Sequence, residues 1–193
     1  MEYSPTTALI VVDVQNDFAD PEGSLYVTGG EETLPFINAN IGAARDAGSV
    51  IVRTQDWHPE HTPHFAEDGG IWPHHCVAGT WGAEFHPELA GEGPVVQKGT
   101  SGEDGYSGFT VRDPETGEES PTGLEQLLRD RDVTRVAVLG LATDYCVLDT
   151  AVDSARLGFE TTLLADGTKP VNVEPGDGAR AIAEMVACGV NVE

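Results

Sequence analysis

The stretch ALIVVDVQ, residues 8–15, opens with five apolar residues, three of them β-branched, and then reaches Asp13. Short apolar runs of this kind are typical of strands that are buried on both faces of a parallel sheet. The same pattern recurs in SVIVRTQD (49–56), RVAVLGLA (135–142) and ETTLLAD (160–166). We therefore expect the chain to fold around these strands.

The segments between these runs have the spacing of helices. Residues 31–47 place their apolar positions three and four apart and the pattern stops at Gly48, and residues 121–131 and 174–187 follow the same spacing. Strands that alternate with helices predict βαβ units. The predicted fold class is therefore a three-layer α/β/α arrangement, Rossmann-like, with a mainly parallel sheet of about six strands.

Length and charge limit the class of protein. The 193 residues fit one domain over residues 1–193, because domains commonly run to roughly 100–200 residues. With 33 acidic side chains against 10 lysines and arginines, the net charge of −23 disfavours nucleic acid and anionic membranes as partners. The apolar run 8–12 is far shorter than the roughly 20 residues that cross a bilayer, and no basic segment precedes it. We expect a cytoplasmic protein, a monomer or small homo-oligomer, that acts on a small molecule.

Reactive side chains follow several of the predicted strands. In open α/β sheets, sites form beyond the carboxyl ends of the strands. Asp13 and Asp56 end the first two apolar runs, Lys98 follows the short run PVVQ (94–97), and Cys146 follows RVAVLGLA. Asp13 alone could serve as a turn acceptor and Lys98 as a surface cation, but a carboxylate and a lysine brought together would hold each other ionised in a pocket.

Cys146 lies at the start of a helix predicted from about Asp144 to Leu157, which Thr143 or Asp144 could cap. A helix N-terminus with a nearby cation lowers the pKa of a thiol. The same turn presents unpaired N–H groups that could hold an oxyanion. The alternative is a small buried hydrophobe. The three cysteines are widely spaced and predict no disulfide framework, and Cys76 and Cys188 are interpreted as packing thiols.

All six histidines lie between positions 58 and 86, in the irregular segment 56–93, whose aromatic residues indicate that it is packed. In an extended segment Asp56 and His58 point to the same side and can approach one ion together. Mixed carboxylate and imidazole ligation suits zinc, iron or manganese. Spacing alone does not choose between His61 and His64 or between His74 and His75, and a solvated polar loop is the alternative.

Six motifs, in order, resemble the nicotinamidase/pyrazinamidase branch of the isochorismatase-like cysteine hydrolases. Each motif alone is weak, but six in the right order over nearly the whole chain are specific. They are ALIVVDVQNDF, DWHPEHTPHFA, IWPHHCVAGTWGAEFHP, VVQKG, GYSGF and GLATDYCV.

The resemblance implies a role for each matching residue. It implies one isochorismatase-like hydrolase domain with a metal-binding loop insertion at about 56–93, a cis peptide bond between Leu141 and Ala142, and one divalent transition metal ion (Zn, Fe or Mn). The implied site residues are a catalytic triad (Asp13, Lys98, Cys146), metal ligands (Asp56, His58, His64, His75), oxyanion N–H donors (Ala142, Cys146) and a substrate pocket (Phe18, Trp72, Tyr106, Ala142).

The implied activity is hydrolysis of nicotinamide to nicotinate and ammonia in NAD salvage, with pyrazinamide as a second substrate and a thioester on Cys146. One alternative is another hydrolase of the same scaffold that acts on a carbamoyl, ureido or isochorismate substrate. Another is a non-catalytic metal-binding or thiol-sensing module. A non-catalytic module would not explain why Asp13 and Lys98 lie at neighbouring strand ends.

Overall fold

The computed structural model describes residues 1–193 and contains eight strands and five α-helices. In chain order they are β1 (Thr7–Val12), α1 (Asn16–Ala19), α2 (Leu34–Asp46), β2 (Val50–Asp56), β3 (Val95–Lys98), β4 (Thr110–Arg112), β5 (Glu119–Pro121), α3 (Leu124–Arg129), β6 (Arg135–Leu141), α4 (Cys146–Arg156), β7 (Glu160–Lys169), α5 (Asp177–Ala187) and β8 (Asn191–Val192).

Six of the strands form one parallel sheet in the order β3-β2-β1-β6-β7-β8. The chain builds outward from β1 in one direction through β2 and β3, and then returns to β6 on the other side of β1. The boundary between β1 and β6 is therefore the topological switch point, where α/β sheets bind ligands at the carboxyl ends of the strands.

Apolar side chains fill both faces of this sheet. Because successive strand residues point to opposite faces, Ile10 of β1 packs in a core cluster with residues of α3, α4 and α5, whereas Leu9 packs in a second cluster with α2. The three-layer α/β/α fold with a parallel six-stranded sheet is therefore confirmed.

The element boundaries differ from those predicted. Helices α3 and α5 begin later than residues 121 and 174, directly after Gly123 and Gly176, whose φ angles of 93° and 88° are outside the helical region. Strand β7 continues past residue 166 because, after an irregularity in register, Thr168 and Lys169 pair again with β6. The antiparallel hairpin β4–β5 and the short β8 had no clear sequence pattern.

The segment 56–93 is mostly irregular, with two short 3₁₀ helices at Ala66–Asp68 and Trp81–Ala83. Phe65 and Trp72 are buried in it, as the packed loop requires, whereas Trp81 is 47% exposed. No helix of the structure combines the length and the apolar character that a membrane span requires.

Candidate active site

The three residues of the predicted triad meet at the carboxyl edge of the sheet. Lys98, the last residue of β3, places its Nζ 2.8 Å from Asp13 Oδ2 and 3.5 Å from Cys146 Sγ. Asp13 directly follows β1, and Cys146 is the first residue of α4. Thr54 donates a hydrogen bond of 2.6 Å to Asp13 Oδ1, while Oδ2 pairs with the Lys98 ammonium. The site thus brings a buried carboxylate, a cation and a thiol together.

Burial shifts the pKa values of Asp13 and Cys146. Burial raises the pKa of Asp13, with Lys98 opposing the shift. Burial likewise raises the pKa of the Cys146 thiol well above its ordinary value, against the pull of Lys98 and together with the charges of Asp13 and Asp56. The expectation of a lowered thiol pKa is therefore wrong in direction, because desolvation outweighs the attraction of Lys98. The resting thiol is protonated and lies beside a base.

The expected cap of α4 is also absent. Tyr145 occupies the cap position and makes no side-chain cap hydrogen bond. The carboxylate of Asp144 instead accepts hydrogen bonds of 2.8 Å from the backbone N–H groups of Val171 and Asn172, after the end of β7. Thr143 shares a hydrogen bond of 2.8 Å with Thr168.

The four predicted metal ligands form one buried cluster next to the triad. The candidate ligand atoms of His58, His64 and His75 all lie within 4.8 Å of one another. Asp56 Oδ2 lies 3.2 Å from His58 Nε2 and 3.5 Å from His75 Nε2, and the other oxygen of Asp56 pairs with Lys98 Nζ at 2.9 Å. One lysine thus joins the triad to the histidine cluster.

The protonation states of the cluster suit a cation. Burial and the nearby His58 lower the pKa of His64 to about 4, so its imidazole is neutral near pH 7. His75 Nδ1 lies 2.8 Å from the carbonyl oxygen of Pro73, and a hydrogen bond donated there leaves Nε2 free to act as a ligand. Burial opposes ionisation of Asp56, but Lys98 and His58 hold the pKa of that carboxyl well below its ordinary value. Three buried imidazoles beside a carboxylate fit a divalent metal ion.

The structure separates the histidines that spacing could not. The side chain of His61 is 73% exposed and lies 3.4 Å from Asp68, and His74 lies 3.7 Å from Glu67 at the surface. His86 is buried but accepts a hydrogen bond from the backbone of Glu88, outside the cluster. His64 and His75 are thus the two that join Asp56 and His58.

A pocket opens directly over Cys146 and the histidine cluster. Its walls are mostly apolar and aromatic, and Trp72 Nε1 donates a hydrogen bond of 2.8 Å to the hydroxyl of Tyr106. All four predicted pocket residues line it, together with others that the sequence did not single out. The lining residues are Phe18, Leu25, Val27, Asp56, His64, Trp72, His75, Tyr106, Leu141, Ala142, Tyr145, Cys146 and Val171.

Two backbone N–H groups remain free beside the thiol. The peptide bond between Leu141 and Ala142 is cis, as expected. The N–H groups of Ala142 and Cys146 donate to no backbone or side-chain acceptor in the protein, while the Ala142 carbonyl accepts from Tyr145 and Val147. These two donors are suited to an oxyanion that forms next to Cys146.

The remaining cysteines belong to neither the triad nor the histidine cluster. All three cysteines are free, as the spacing predicted. Cys76 is fully buried, and its backbone N–H donates a hydrogen bond of 2.7 Å to Asp17 Oδ2. Cys188 is half-buried against the core cluster that contains α5.

Comparison with known proteins gives a consistent result. Residues 7–193 match the family described as the Isochorismatase domain. The nicotinamidase/pyrazinamidase of Mycobacterium tuberculosis is 42% identical over 96% of this chain and 97% of that protein, and the nicotinamidase of Escherichia coli is 35% identical over 97% and 94%.

Solved structures give the same match in three dimensions. The pyrazinamidase of Pyrococcus horikoshii, solved in complex with zinc, is 41% identical over 98% of this chain and 99% of its own, with a TM-score of 0.86. PnC1 from L. infantum, solved in complex with nicotinate, is 39% identical over 100% and 95%, with a TM-score of 0.90.

Proposed function

The chain belongs to the isochorismatase family, and from that premise we propose that it is a metal-dependent cysteine amidohydrolase that converts nicotinamide to nicotinate and ammonia, a reaction of NAD salvage. The observation that carries the proposal is the placement of Cys146, with Lys98 Nζ at 3.5 Å, in a pocket that Asp56, His64 and His75 also line. Pyrazinamide, a similar flat aromatic amide, is the second substrate.

Acylation begins with the protonated thiol. Asp13 takes the proton from Cys146 as Sγ attacks the carboxamide carbon, and the raised pKa of Asp13 makes it a stronger base for this transfer. The carbonyl electron pair moves onto oxygen, where the free N–H groups of Ala142 and Cys146 stabilise it. When the tetrahedral intermediate collapses, the C–N bond breaks, Asp13 returns the proton to nitrogen, and ammonia leaves a thioester on Cys146.

Deacylation uses the same groups in reverse. A water molecule attacks the thioester carbon while Asp13 accepts one of its protons. The C–S bond then breaks, the sulfur regains a proton from Asp13, and the product leaves as the acid, which loses its remaining proton to solvent to give nicotinate. Lys98 stays charged throughout, because Asp13 and Asp56 raise its pKa despite its burial, and it keeps Asp13 oriented toward the sulfur.

The metal ion would be held by Asp56, His58, His64 and His75, and we propose Zn²⁺, Fe²⁺ or Mn²⁺ because these ions accept mixed imidazole and carboxylate ligands. When bound, such an ion supplies a Lewis acid to which a pyridine nitrogen can coordinate. The aromatic side chains of Phe18, Trp72 and Tyr106 bound the space in which a flat ring would lie.

An ammonia-release panel tests substrate class and metal dependence together. Purified protein is assayed with nicotinamide, pyrazinamide, a carbamoyl amine and a ureido acid, before and after chelation and again after Zn²⁺, Fe²⁺ or Mn²⁺ is restored. We expect turnover of both aromatic amides, loss on chelation, and recovery with at least one metal. Turnover of the carbamoyl or ureido substrate alone would overturn the substrate assignment, and unchanged activity in metal-free protein would overturn the metal requirement.

A further inference from the structure

His64 is the one imidazole of the cluster that has a carboxylate on its outer nitrogen. Its Nδ1 lies 3.1 Å from Asp104 Oδ1, and the side chains are 6% and 20% exposed. The outer nitrogen of His75 faces a neutral carbonyl, and Nδ1 of His58 has no hydrogen-bond partner. Asp104 lies 40 positions from His64 in the sequence, so the contact had no local signal.

Asp104 is itself held from several directions. Its backbone N–H donates to the carbonyl of Arg112 at 2.8 Å, and the N–H of Arg112 donates back to the carbonyl of Asp104 at 2.9 Å. Arg112 Nη2 also lies 3.2 Å from Asp104 Oδ2. Arg112 therefore fixes one carboxylate oxygen and leaves the other directed at His64.

Gly105, the residue after Asp104, packs closely against the end of β3. A Cβ atom at Gly105 would lie 2.9 Å from the backbone nitrogen of Gly99 and 3.1 Å from Lys98 Cβ. Such closeness means that the backbone beside Asp104 packs directly on the end of β3, where Lys98 joins the triad to the cluster. The carboxylate is therefore placed by backbone contacts and not by a flexible side chain alone.

A carboxylate at Nδ1 has a defined effect on an imidazole. The neutral ring carries one proton, and a hydrogen bond donated from Nδ1 to Asp104 keeps that proton on Nδ1. Nε2 then retains its lone pair and is the nitrogen available to a metal ion. The negative charge also raises the basicity of the ring as a ligand, and such outer partners commonly change metal affinity by about 10- to 100-fold.

We propose that Asp104 is a positioning residue for the metal site: it fixes the tautomer and ring orientation of His64, with Arg112 holding Asp104 in turn. The inference rests on the metal site of the proposed function and assigns that site a residue outside its ligand set. Asp104 touches neither the pocket nor the triad, so it acts through His64.

Metal affinity is the direct readout. The dissociation constants of Zn²⁺ and Co²⁺ are measured by chelator competition, and the visible absorption of the Co²⁺-loaded protein reports ligand geometry. Asp104→Ala should weaken binding by about 10- to 100-fold and alter the spectrum. Asp104→Asn, of nearly the same shape, should lose less because its amide oxygen still accepts from Nδ1. Glu67→Ala removes an exposed carboxylate opposite His74 and should change neither reading.

A double-mutant cycle separates a specific effect from general damage to the loop. In a His64→Ala background, Asp104→Ala should have little further effect, because the ring through which it acts is gone. Equal weakening in both backgrounds, or unchanged affinity and spectrum in Asp104→Ala, would overturn the inference.

The ligand assignment is tested in the same series. His64→Ala should loosen the metal and His61→Ala should not, and full affinity in His64→Ala would overturn both the ligand assignment and this inference. Because these readings need no substrate, a failure of nicotinamide turnover with normal affinities would count against the proposed function alone.

Discussion

At the scale of single residues, Lys98 is the group on which the site depends. Its Nζ lies 2.8 Å from Asp13 and 2.9 Å from Asp56, so one buried cation pairs with a carboxylate of the triad and with the carboxylate beside the histidines. Removing one partner of a buried ion pair leaves an uncompensated charge, which is strongly destabilising. Lys98 therefore links the triad electrostatically to the histidine cluster.

The raised pKa of Cys146 predicts how its sulfur reacts in the absence of substrate. The thiolate fraction below the pKa rises about tenfold per pH unit, so alkylation by iodoacetamide should accelerate steadily from about pH 7 to about pH 9. Mass spectrometry of the peptide that contains Cys146 separates it from Cys188. A plateau in rate below about pH 8 would mean that the helix N-terminus and Lys98 prevail over burial.

Gly99 predicts a second residue-level effect. Its φ is +74°, and an added Cβ would lie 2.6 Å from Cε1 of His58. Gly99→Ala should therefore displace the ring of His58, a candidate metal ligand. We expect metal affinity to fall by about tenfold or more, which corresponds to about 1.4 kcal/mol. Chelator competition provides the measurement.

Gly117→Ala is the matched control for this prediction. Gly117 has a similar φ of +72° but nothing within 4 Å of the added carbon. Because both positions have a positive φ, Gly117→Ala should lose about as much unfolding free energy as Gly99→Ala. Unlike Gly99→Ala, it should keep its metal affinity. Equal affinities in the two variants would show that His58 does not need that space.

At the scale of elements, the switch point between β1 and β6 explains why distant parts of the sequence form one site. Strands β1, β2 and β3 end at the same edge of the sheet and deliver Asp13, Asp56 and Lys98, while α4 begins there with Cys146. In a parallel sheet all carboxyl ends share one edge. This arrangement could be predicted from apolar runs and the residues that follow them.

Contacts between elements could not be predicted in the same way. Asp144 looked like a helix cap, but its carboxylate reaches Val171 and Asn172, which are 27 and 28 positions away. The preference for His64 over His61 needed the family pattern, because both lie in one loop and only the three-dimensional path decides which ring is buried. Burial also reversed the expected pKa shift of Cys146, since desolvation depends on the whole surrounding structure.

The link between α4 and the segment after β7 gives an element-level prediction. Asp144→Ala removes two acceptors for backbone N–H groups beside Val171, which lines the pocket. We expect a loss of about 1–3 kcal/mol in unfolding free energy and a raised KM for nicotinamide, as the pocket wall loosens. Thermal unfolding and steady-state kinetics measure the two effects.

Asp177→Ala is its control. The carboxylate of Asp177 also accepts a backbone N–H, from Glu174 at 2.7 Å, but this bond is local to the start of α5. That variant should lower stability and leave KM unchanged. A normal KM in Asp144→Ala would indicate that Val171 is held by other contacts.

For the molecule as a whole, the net charge of −23 is the electrostatic feature that most affects stability. Like charges repel one another and destabilise the compact state, and salt reduces that repulsion because the screening length falls from about 10 Å at 0.1 M to about 3 Å at 1 M. Thermal unfolding should therefore move to higher temperature with sodium chloride. A gain of about 1 kcal/mol would raise Tm by about 2–4 °C in a chain of this size.

Sucrose at matched osmolality provides the comparison, because it is excluded from the protein surface but does not screen charge. Its effect on Tm should be smaller than that of sodium chloride. A Tm that stays constant or falls between 0.1 and about 1 M salt would contradict the role assigned to charge repulsion.

We propose that Cys146 is the nucleophile of an amidase and that its sulfur is not a ligand of the metal ion. The most direct measurement is ammonia release from nicotinamide by the unaltered protein and by Cys146→Ala, both with their metal content determined. We predict that the unaltered protein releases ammonia and nicotinate in equal amounts, while Cys146→Ala retains its metal and releases neither. Appreciable turnover by fully metal-loaded Cys146→Ala would rule out Cys146 as the nucleophile.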